Sequence, residues 1–546
     1  MKILAITAFA FLLLSFVIGK TKVDLMIINA KIYTVDKGFT VAEALVVKDG
    51  IIVETGTNVN LKKYYDAEKL IDANGKFIYP GFIDAHAHFL GYGLSLQTAN
   101  LTGTDSWEAV VNKTWNFQRA KNIDPGKWIT GRGWDQNDWT NKEFPNAAAL
   151  DSAFPYNPVM LTRIDGHAAI ANSMALAAAG IKPGDKLTGG EIILKDGKLT
   201  GLLIDNAIKL VSKMIPASGD KLTREALSDA EQKCFAAGLT SIVDCGINAY
   251  QVELIKNMQD EDSLKMRLYV MLTDNESNFT YLEKKGIIKT PRLHVRSFKV
   301  YGDGALGSRG ACLLEPYTDK PGSRGFLLSN ASHFDSVAQR LYKNRFQMCT
   351  HAIGDSGNRV ILQTYAKYLK GKNDLRWRIE HAQVVNQNDF NWFSKYSIIP
   401  SVQPTHATSD MYWATERLGN KRVKNAYAFK KLLDQNQWIP LGTDFPVEDI
   451  SPIKTFYAAV FRKDAKGWPK DGYQMENALS RKEALRGMTI WAAKSNFEEK
   501  EKGSIEKGKF ADLVVLDQDL MVAPGEKILA TKVVMTFVGG EMVFGK

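Results

Sequence analysis

Histidines, a lysine and an aspartate recur where short apolar segments of the chain end. His86 and His88 close the first such segment, in PGFIDAHAHF at residues 80–89. Side chains alternate along a strand, so these two imidazoles point to the same face and can bind one metal ion. A hydrogen-bonded pair of structural histidines is the alternative. Their place at the end of a predicted strand favours the metal site.

Four more residues occupy equivalent positions in later segments. His351 follows FQMCT, His381 follows RWRIE, and Asp444 lies in IPLGTDFP. Lys299 lies in RSFKVYGDG. A lysine amine in a dry site near cations can lose its proton. It could then add carbon dioxide and form a carbamate that bridges two metal ions; a salt-bridged structural lysine is the alternative.

The segments that carry these residues alternate with helical stretches such as 226–237 and 360–369. This alternation predicts an α/β fold with eight parallel strands, the number that a closed (β/α)8 barrel requires. The eighth strand of such a barrel lies beside the first, so we expect Asp444 next to His86 and His88. The predicted strands are 77–83, 241–245, 266–272, 298–301, 345–350, 376–380, 398–403 and 438–442.

Both ends of the chain consist of short strand-like segments separated by turn residues. Neither end is long enough for an independent core, so we predict one small β domain from residues 20–76 and 500–546, beside a barrel at 77–499. About 150 residues separate the first two predicted strands, whereas a crossover needs only about a dozen. We therefore predict an insertion at about residues 95–215 that covers the catalytic face as a lid or substrate-shaping subdomain.

The first 19 residues, MKILAITAFAFLLLSFVIG, have one lysine followed by an apolar run. This pattern is typical of a secretory signal peptide, with cleavage before Lys20. An uncleaved anchor is the alternative, but the run is short for a membrane span of about 20 residues. We predict an exported protein, periplasmic or secreted, with no stable membrane insertion after cleavage.

The composition is that of a folded protein, with 45% hydrophobic and 24% charged residues. The net charge of +10 comes from scattered lysines and arginines without a basic stripe, which predicts a solvated surface and no nucleic-acid partner. Four cysteines without a CxxC spacing predict buried free thiols. The expected partner is a small-molecule substrate; a homodimer remains an open alternative.

Six motifs occur in the order GFIDAHAH, SFKVYGDGALGSRGA, THAIGD, RIEHAQ, LGTDFPVE and GSIEKGKFADLVVLD. By these motifs the chain resembles the amidohydrolase superfamily, and specifically the amidohydrolase-3 (YtcJ-like) family, over most of residues 22–546. The resemblance implies a (β/α)8 TIM barrel with a β-sandwich made from both chain termini. It also implies one or two divalent metal ions, usually zinc.

The resemblance further implies the roles of the residues at the strand ends. Asp444 would be the catalytic residue, accepting a proton from the attacking water and returning it to the leaving nitrogen. Cys245 is the alternative to the lysine as a bridging ligand. The implied metal ligands are His86, His88 and Asp444 for the more buried ion, His351 and His381 for the second ion, and Lys299 as a bridging carbamate.

Four further residues are predicted to contact the substrate. His167 lies in the insertion, where a helix cap is the alternative role, and Arg309 could instead anchor a loop. His406 and Asp410 follow the seventh predicted strand. His294 and His333 are predicted to be structural, and Asp303 is expected to orient the region around the lysine. The candidate substrate-binding residues are His167, Arg309, His406 and Asp410.

The sequence therefore predicts a metal-dependent hydrolase that cleaves a C–N bond, in an amide or N-acyl group. A lactonase or other esterase could use the same metal site, because a fold does not fix a substrate. A barrel that binds a ligand without metal or turnover is the alternative from outside the enzymes. The complete set of candidate ligands favours the enzyme.

Overall fold

The computed structural model describes residues 19–216 and 219–545. The predicted signal peptide lies outside this part of the chain, apart from Gly19. Within these two ranges, no helix combines the length and the apolar character needed to cross a membrane.

A parallel barrel forms the centre of the molecule and confirms the predicted fold class. Nearly all of its strand residues are buried, because helices cover the outer face of a parallel sheet. In order around the sheet, the regular strands of the described chain are Phe82–Ala87, Leu239–Ile247, Arg267–Thr273, Leu293–Tyr301, Gln347–Ala352, Arg378–His381 and Ile399–Ser401. The short strand Ile288–Lys289 pairs antiparallel with the fourth of them.

Helices connect the barrel strands. Those that precede the seventh strand are Phe89–Ser95, Asp220–Ala236, Ala249–Asp260, Glu276–Lys285, Ala331–Asn344, Asp355–Leu369 and Phe390–Tyr396. Those that follow it are Pro404–Asp410, Ala414–Arg422, Phe429–Asn436, Pro452–Phe461, Arg481–Gly487 and Ile490–Ser495. Short 3-10 turns occur at Val423–Asn425 and Met475–Asn477.

The eighth position of the barrel is held by an extended segment rather than by the regular strand predicted at 438–442. The N–H of Gly442 donates to Val402 O at 3.0 Å, and Ala85 N–H donates to Leu441 O at 3.1 Å. The segment thus bonds to the seventh strand on one side and to the first on the other, which closes the barrel. Pro440 has no N–H to donate, so a continuous ladder cannot form here.

Two sheets made from both chain ends pack against each other beside the barrel. One has the order Ile51–Gly56, Ala44–Lys48, Thr21–Ile28, Tyr65–Asp72; the other has the order Glu541–Phe544, Val533–Val538, Leu513–Leu516, Phe77–Pro80, Lys31–Tyr33, Val41–Ala42. Buried residues of both sheets share one core, including Leu45, Ile78 and Phe537. The helix Asn58–Tyr64 packs on this sandwich, whereas the short helix Gly525–Ile528 contacts the barrel helix Pro452–Phe461.

The strand Phe77–Pro80 corrects the predicted first barrel strand at 77–83. It pairs antiparallel with Leu513–Leu516 in the sandwich, and the barrel strand begins only at Phe82. Gly81 separates the two strands; a Cβ there would lie 2.3 Å from Thr240 Oγ1, so the crossing requires glycine. A single apolar run in the sequence thus serves two sheets, and periodicity does not reveal the division.

The insertion after the first barrel strand forms a sheet of its own. Its order is Gly190–Lys195, Lys198–Asp205, Ala168–Ala171, Val159–Arg163, Ile129–Trp134, Ala99–Asn100. Helices Trp107–Ala120, Ala148–Ala153, Ser173–Ala178 and Ile208–Ser212 and the 3-10 turn Gln136–Asp138 surround this sheet. Trp134 and Trp139 are buried in its core.

A buried ion pair fastens the sandwich to the barrel. Arg267 of the third barrel strand donates to both carboxylate oxygens of Asp512, at 2.7 and 2.9 Å, and its guanidinium lies 3.9 Å from the Phe510 ring centre. Both members of the pair are buried. Removing one partner of such a pair leaves the other charge uncompensated.

We therefore expect Asp512→Ala to lower the free energy of unfolding by about 3 kcal/mol. Urea denaturation followed by circular dichroism measures this loss. Asp262→Ala is the control, because Asp262 pairs with Arg292 at 2.6 Å on the surface and such pairs contribute at most about 1 kcal/mol. Equal losses in the two variants would contradict the prediction.

Candidate metal centre

The carboxyl ends of the first and eighth barrel positions bring three predicted ligands together. Asp444 Oδ1 lies 3.5 Å from His86 Nε2 and 3.3 Å from His88 Nε2. The ligand atoms of these three residues all lie within 4.8 Å of one another. The backbone fixes this approach, because Asp444 N–H donates to His86 O at 2.7 Å and His88 N–H donates to Phe445 O at 2.9 Å.

A second cluster of ligand-type atoms shares the same aspartate. His381, His406 and Asp444 present atoms within 4.8 Å of one another, and His406 Nε2 is 3.6 Å from Asp444 Oδ2. The His381 and His406 rings stack with centres 5.7 Å apart. His406, which the sequence analysis placed among the substrate contacts, therefore lies within the candidate metal centre.

His351 lies at the edge of these clusters. Its ring centre is 4.6 Å from that of His381 and 5.1 Å from that of His167. Its Nε2 is 3.4 Å from Gly304 O. The ring thus borders both the candidate centre and the insertion, but it belongs to neither of the two tight clusters.

Lys299 is buried beneath the histidines, with Nζ 3.0 Å from His86 Nε2. Burial disfavours its charged form, but Cys245, Tyr301 and nearby carboxylates outweigh burial and raise the pKa of the ammonium. A carbamate forms only on a neutral amine, so the pKa of Lys299 must fall before it can form, and bound cations nearby would lower it. Cys245, the alternative bridging ligand, packs in a buried cluster with Met271 and Cys349.

The donor atoms of the clusters fit a divalent metal ion. Asp444 Oδ1, His381 Nδ1 and His406 Nε2 are buried and make no hydrogen bond to any residue of the described chain. Buried polar atoms in folded proteins are almost always satisfied, so these three unpartnered atoms, which belong to residues of the two clusters, require an explanation. Cations bound at the two clusters would satisfy them, and imidazole nitrogen with carboxylate oxygen is a donor set typical of zinc.

Burial sets the protonation states of the candidate ligands. Burial and the charge of Lys299 lower the pKa of His86 to about 4, and burial lowers the pKa of His351 and His381 well below the usual value. Burial alone would raise the pKa of Asp444, but the close approach of the imidazoles holds it well below the usual range. Neutral imidazoles and an ionised carboxylate are the forms that bind metal.

Glu380 fixes the orientation of the most buried histidine. Its Oε2 lies 2.5 Å from His86 Nδ1, so that Nε2 faces the centre, where Lys299 Nζ lies 3.0 Å away. Arg378 holds Glu380 in turn, at 2.6 Å, and donates to Ser401 Oγ at 2.9 Å. Burial would raise the pKa of Glu380, but Arg378 and His86 outweigh burial and lower it to about 2.

Two further carboxylates hold the histidine strand in place. Asp84 accepts from Thr443 Oγ1 at 2.7 Å and so ties the first strand to the eighth segment; burial raises its pKa to about 7. Asp244 accepts from Phe89 N–H at 3.0 Å, directly after the histidine pair, and burial raises its pKa to about 6. Asp84, Asp244 and Glu380 were not among the site residues predicted from the sequence. Each is a charged residue within an otherwise apolar strand, and that contrast could have indicated a functional role.

Two residues of the centre have left-handed backbone conformations. His381 has φ 73° and Asp444 has φ 65°. Such conformations are uncommon outside glycine, although histidine and aspartate are enriched among the exceptions. They occur where the surrounding structure enforces a functional geometry. Here they turn each side chain inward at the point where its strand ends.

A cavity of about 1150 Å³ lies between the barrel mouth and the insertion. His167 and Asp410 line it, as does His406. His167 Nδ1 is 2.5 Å from Asp205 Oδ1, and burial raises the pKa of Asp410 to about 7.

The predicted role of Arg309 in substrate binding is not supported by its position. Its Nη2 lies 2.9 Å from Asp319 Oδ2, and it is not among the residues that line the cavity. The alternative prediction, that Arg309 anchors a loop, agrees with this contact.

His294 and His333, which were predicted to be structural, lie outside the cavity and pair with Glu498 and Asp274, respectively. Asp303 accepts from the N–H groups of Cys312, Ile353 and Gly354 and so fixes the loop after Lys299.

Comparison with known proteins identifies relatives over nearly the whole chain. Residues 69–544 match the model of the amidohydrolase family. The chain is 33% identical to the protein LONG AFTER FAR-RED 3 of Arabidopsis thaliana, covering 95% of this chain and 91% of the relative. It is 30% identical to the putative amidohydrolase YtcJ of Bacillus subtilis (strain 168), covering 89% and 93%. It is 27% identical to the N-substituted formamide deformylase of Arthrobacter pascens, covering 95% and 97%.

A solved structure has the same architecture. It is an uncharacterized metal-dependent hydrolase from Pyrococcus horikoshii OT3, with 26% identity and a TM-score of 0.75, covering 92% of this chain and 99% of that one. This agreement over the whole length confirms the resemblance that the six motifs indicated. The chain therefore belongs to the amidohydrolase family of hydrolases.

Proposed function

We propose that this chain is a metal-dependent hydrolase that cleaves the C–N bond of an amide or N-acyl group in a small molecule. The observation that carries the proposal is that Asp444 belongs to two tight clusters of ligand atoms, one with His86 and His88 and one with His381 and His406. The likeness to a formamide deformylase supports the choice of bond. The cavity above the centre has the size of a small-molecule site.

We further propose that zinc is the metal. One ion would be held by His86, His88 and Asp444, and a second by His381 with either His406 or His351. A divalent ion, when bound, polarises a carbonyl oxygen and lowers the pKa of water. The donor set of nitrogen and oxygen atoms is consistent with zinc.

Asp444 is the group that moves the proton. Its Oδ1 faces His86 and His88, whereas Oδ2 faces His406 and is the oxygen we assign to proton transfer. Oδ2 accepts a proton from the water that adds to the carbonyl carbon. The C–N bond then breaks, and the same oxygen gives that proton to the leaving nitrogen. One water is consumed, and an acid and an amine are formed.

Lys299 would supply an anionic ligand in this proposal. Its neutral Nζ would form a bond to the carbon of carbon dioxide, one C=O π bond would break to give an anionic oxygen, and the proton displaced from the nitrogen would pass to solvent. The lysine is buried, and its Nζ lies 3.0 Å from His86 Nε2 of the first cluster. The negative charge of the carbamate would offset part of the charge of two divalent ions.

We expect His86→Ala to lose at least one equivalent of metal and to reduce turnover to the background rate, because the histidine is a direct ligand. Elemental analysis of purified protein and an assay with paired amides and esters of the same acyl group measure both effects. His333→Ala is the control, since His333 lies outside the cavity beside Asp274. Full metal content and turnover in His86→Ala would refute the site; hydrolysis of esters alone would refute the bond assignment.

A further inference from the structure

We propose that Arg132 is the substrate-anchoring residue of this cavity and that the substrate carries a carboxylate. This inference rests on the proposed function and adds the substrate class to it. Arg132 lies on the insertion strand Ile129–Trp134, and its side chain lines the same cavity as the candidate metal centre. Arg309, the arginine that the sequence offered as a substrate contact, does not line this cavity.

The guanidinium of Arg132 lacks a charged partner in the described part of the chain. Its single side-chain hydrogen bond runs from Nη2 to Ile164 O at 2.8 Å. Nε is buried and makes no hydrogen bond to a described residue. An arginine has five donors in a planar fork, so most of its capacity remains available.

The other cations of the cavity are already occupied or solvated. Arg163 pairs with Asp135 and with Asp165, the latter at 2.6 Å. Lys454 contacts Asp449 at 2.7 Å. Lys299 belongs to the candidate metal centre, and Lys209 is exposed at the cavity rim. These contacts leave Arg132 as the half-buried cation of the cavity wall that can receive an anionic group.

The position of Arg132 suits an anchor for one end of a short substrate. Arg132 and Asp444 line the same cavity, and burial lowers the pKa of the guanidinium while Asp444, Asp165 and Tyr301 act in the opposite direction. A Cβ at Gly166 would lie 3.4 Å from Nη2, so the turn behind the guanidinium supports it closely. A planar fork held in this way matches a carboxylate through two hydrogen bonds.

Calorimetry on the full-length, metal-free protein tests this inference without turnover. The probes are N-acetylglycine, N-acetylphenylalanine and N-acetylglutamate, each beside its neutral carboxamide counterpart. We expect the acids to bind more tightly than the amides, and Arg132→Gln to weaken acid binding by about a hundredfold while amide binding changes by less than about threefold. Arg132→Lys keeps the charge but not the fork, so an intermediate loss is expected.

Lys209→Gln is the matched control, because it removes a positive charge at the rim without a buried contact; we expect no selective loss of acid binding. Equal affinity for acids and amides in the wild type, or equal losses in Arg132→Gln, would overturn the anchor. The metal-loaded enzyme then separates the two proposals. Acid binding through Arg132 without hydrolysis of any amide refutes the proposed function alone, whereas rapid hydrolysis without preference for acids refutes the anchor alone.

Discussion

Asp444→Asn is expected to lower kcat by a factor of about 10³ and to leave most of the metal bound. Asparagine has the shape of aspartate and keeps one oxygen for the cluster with His86 and His88. It lacks a carboxylate that can take up a proton from water and release it to nitrogen. The loss should therefore fall on kcat, because proton transfer belongs to the chemical step.

Steady-state kinetics and elemental analysis of the same preparation separate the two roles of this residue. The control is Asp449→Asn, because Asp449 is exposed beside Lys454 and lies five residues away on the chain. Its kcat should stay within about twofold of the wild-type value. Wild-type kcat in Asp444→Asn would exclude Asp444 as the proton carrier, and complete loss of metal would mean that its main role is as a ligand.

Glu380→Ala is expected to weaken metal binding by about 10- to 100-fold and to lower the free energy of unfolding by about 3 kcal/mol or more. Glu380 and Arg378 are both fully buried, so removing the carboxylate leaves a buried guanidinium without its partner. The same change frees Nδ1 of His86, which is 2.5 Å from the carboxylate in the intact protein. The imidazole then loses the contact that fixes its tautomer and ring orientation.

Two measurements distinguish a positioning role from a purely structural one. Urea denaturation of the metal-free protein measures stability, and competition with a chelator measures metal affinity. Glu380→Gln should retain a contact with His86 and recover part of the affinity while still lacking the charge that Arg378 needs. Glu499→Gln is the control. Glu499 Oε1 lies 2.9 Å from Arg376 Nη2 in a less buried ion pair, so its substitution should leave metal affinity unchanged. Lower stability with unchanged affinity in Glu380→Ala would assign Glu380 a structural role alone.

The fold class and the strand ends at which chemistry can occur follow from the sequence alone. Short apolar runs alternating with helices require a parallel barrel, and polar residues at their carboxyl ends meet at one mouth. That rule places Asp444 beside His86 and His88 even though they lie far apart along the chain. Alternation along a single strand accounts for the shared face of the two histidines.

Two features become visible only in the folded chain: the sheet that each half of the run at 77–83 joins, and the side chains that complete the candidate metal centre. The run at 77–83 is apolar throughout, so its division at Gly81 between sandwich and barrel leaves no periodic signal. Likewise, Glu380 reaches His86 across strands that are not neighbours in sequence. Such contacts depend on barrel curvature and side-chain direction, which local patterns do not record.

The same reason separates Arg132 from Arg309. Each arginine lies beside glycines in the sequence, and only Arg309 was predicted to contact the substrate. In the folded chain Asp319 neutralises Arg309, while Arg132 enters the cavity unpaired with any described carboxylate. Whether an arginine is paired depends on which carboxylates lie near it in the folded chain. Ion pairs act over a few ångströms of space, whatever the distance between the two residues along the sequence.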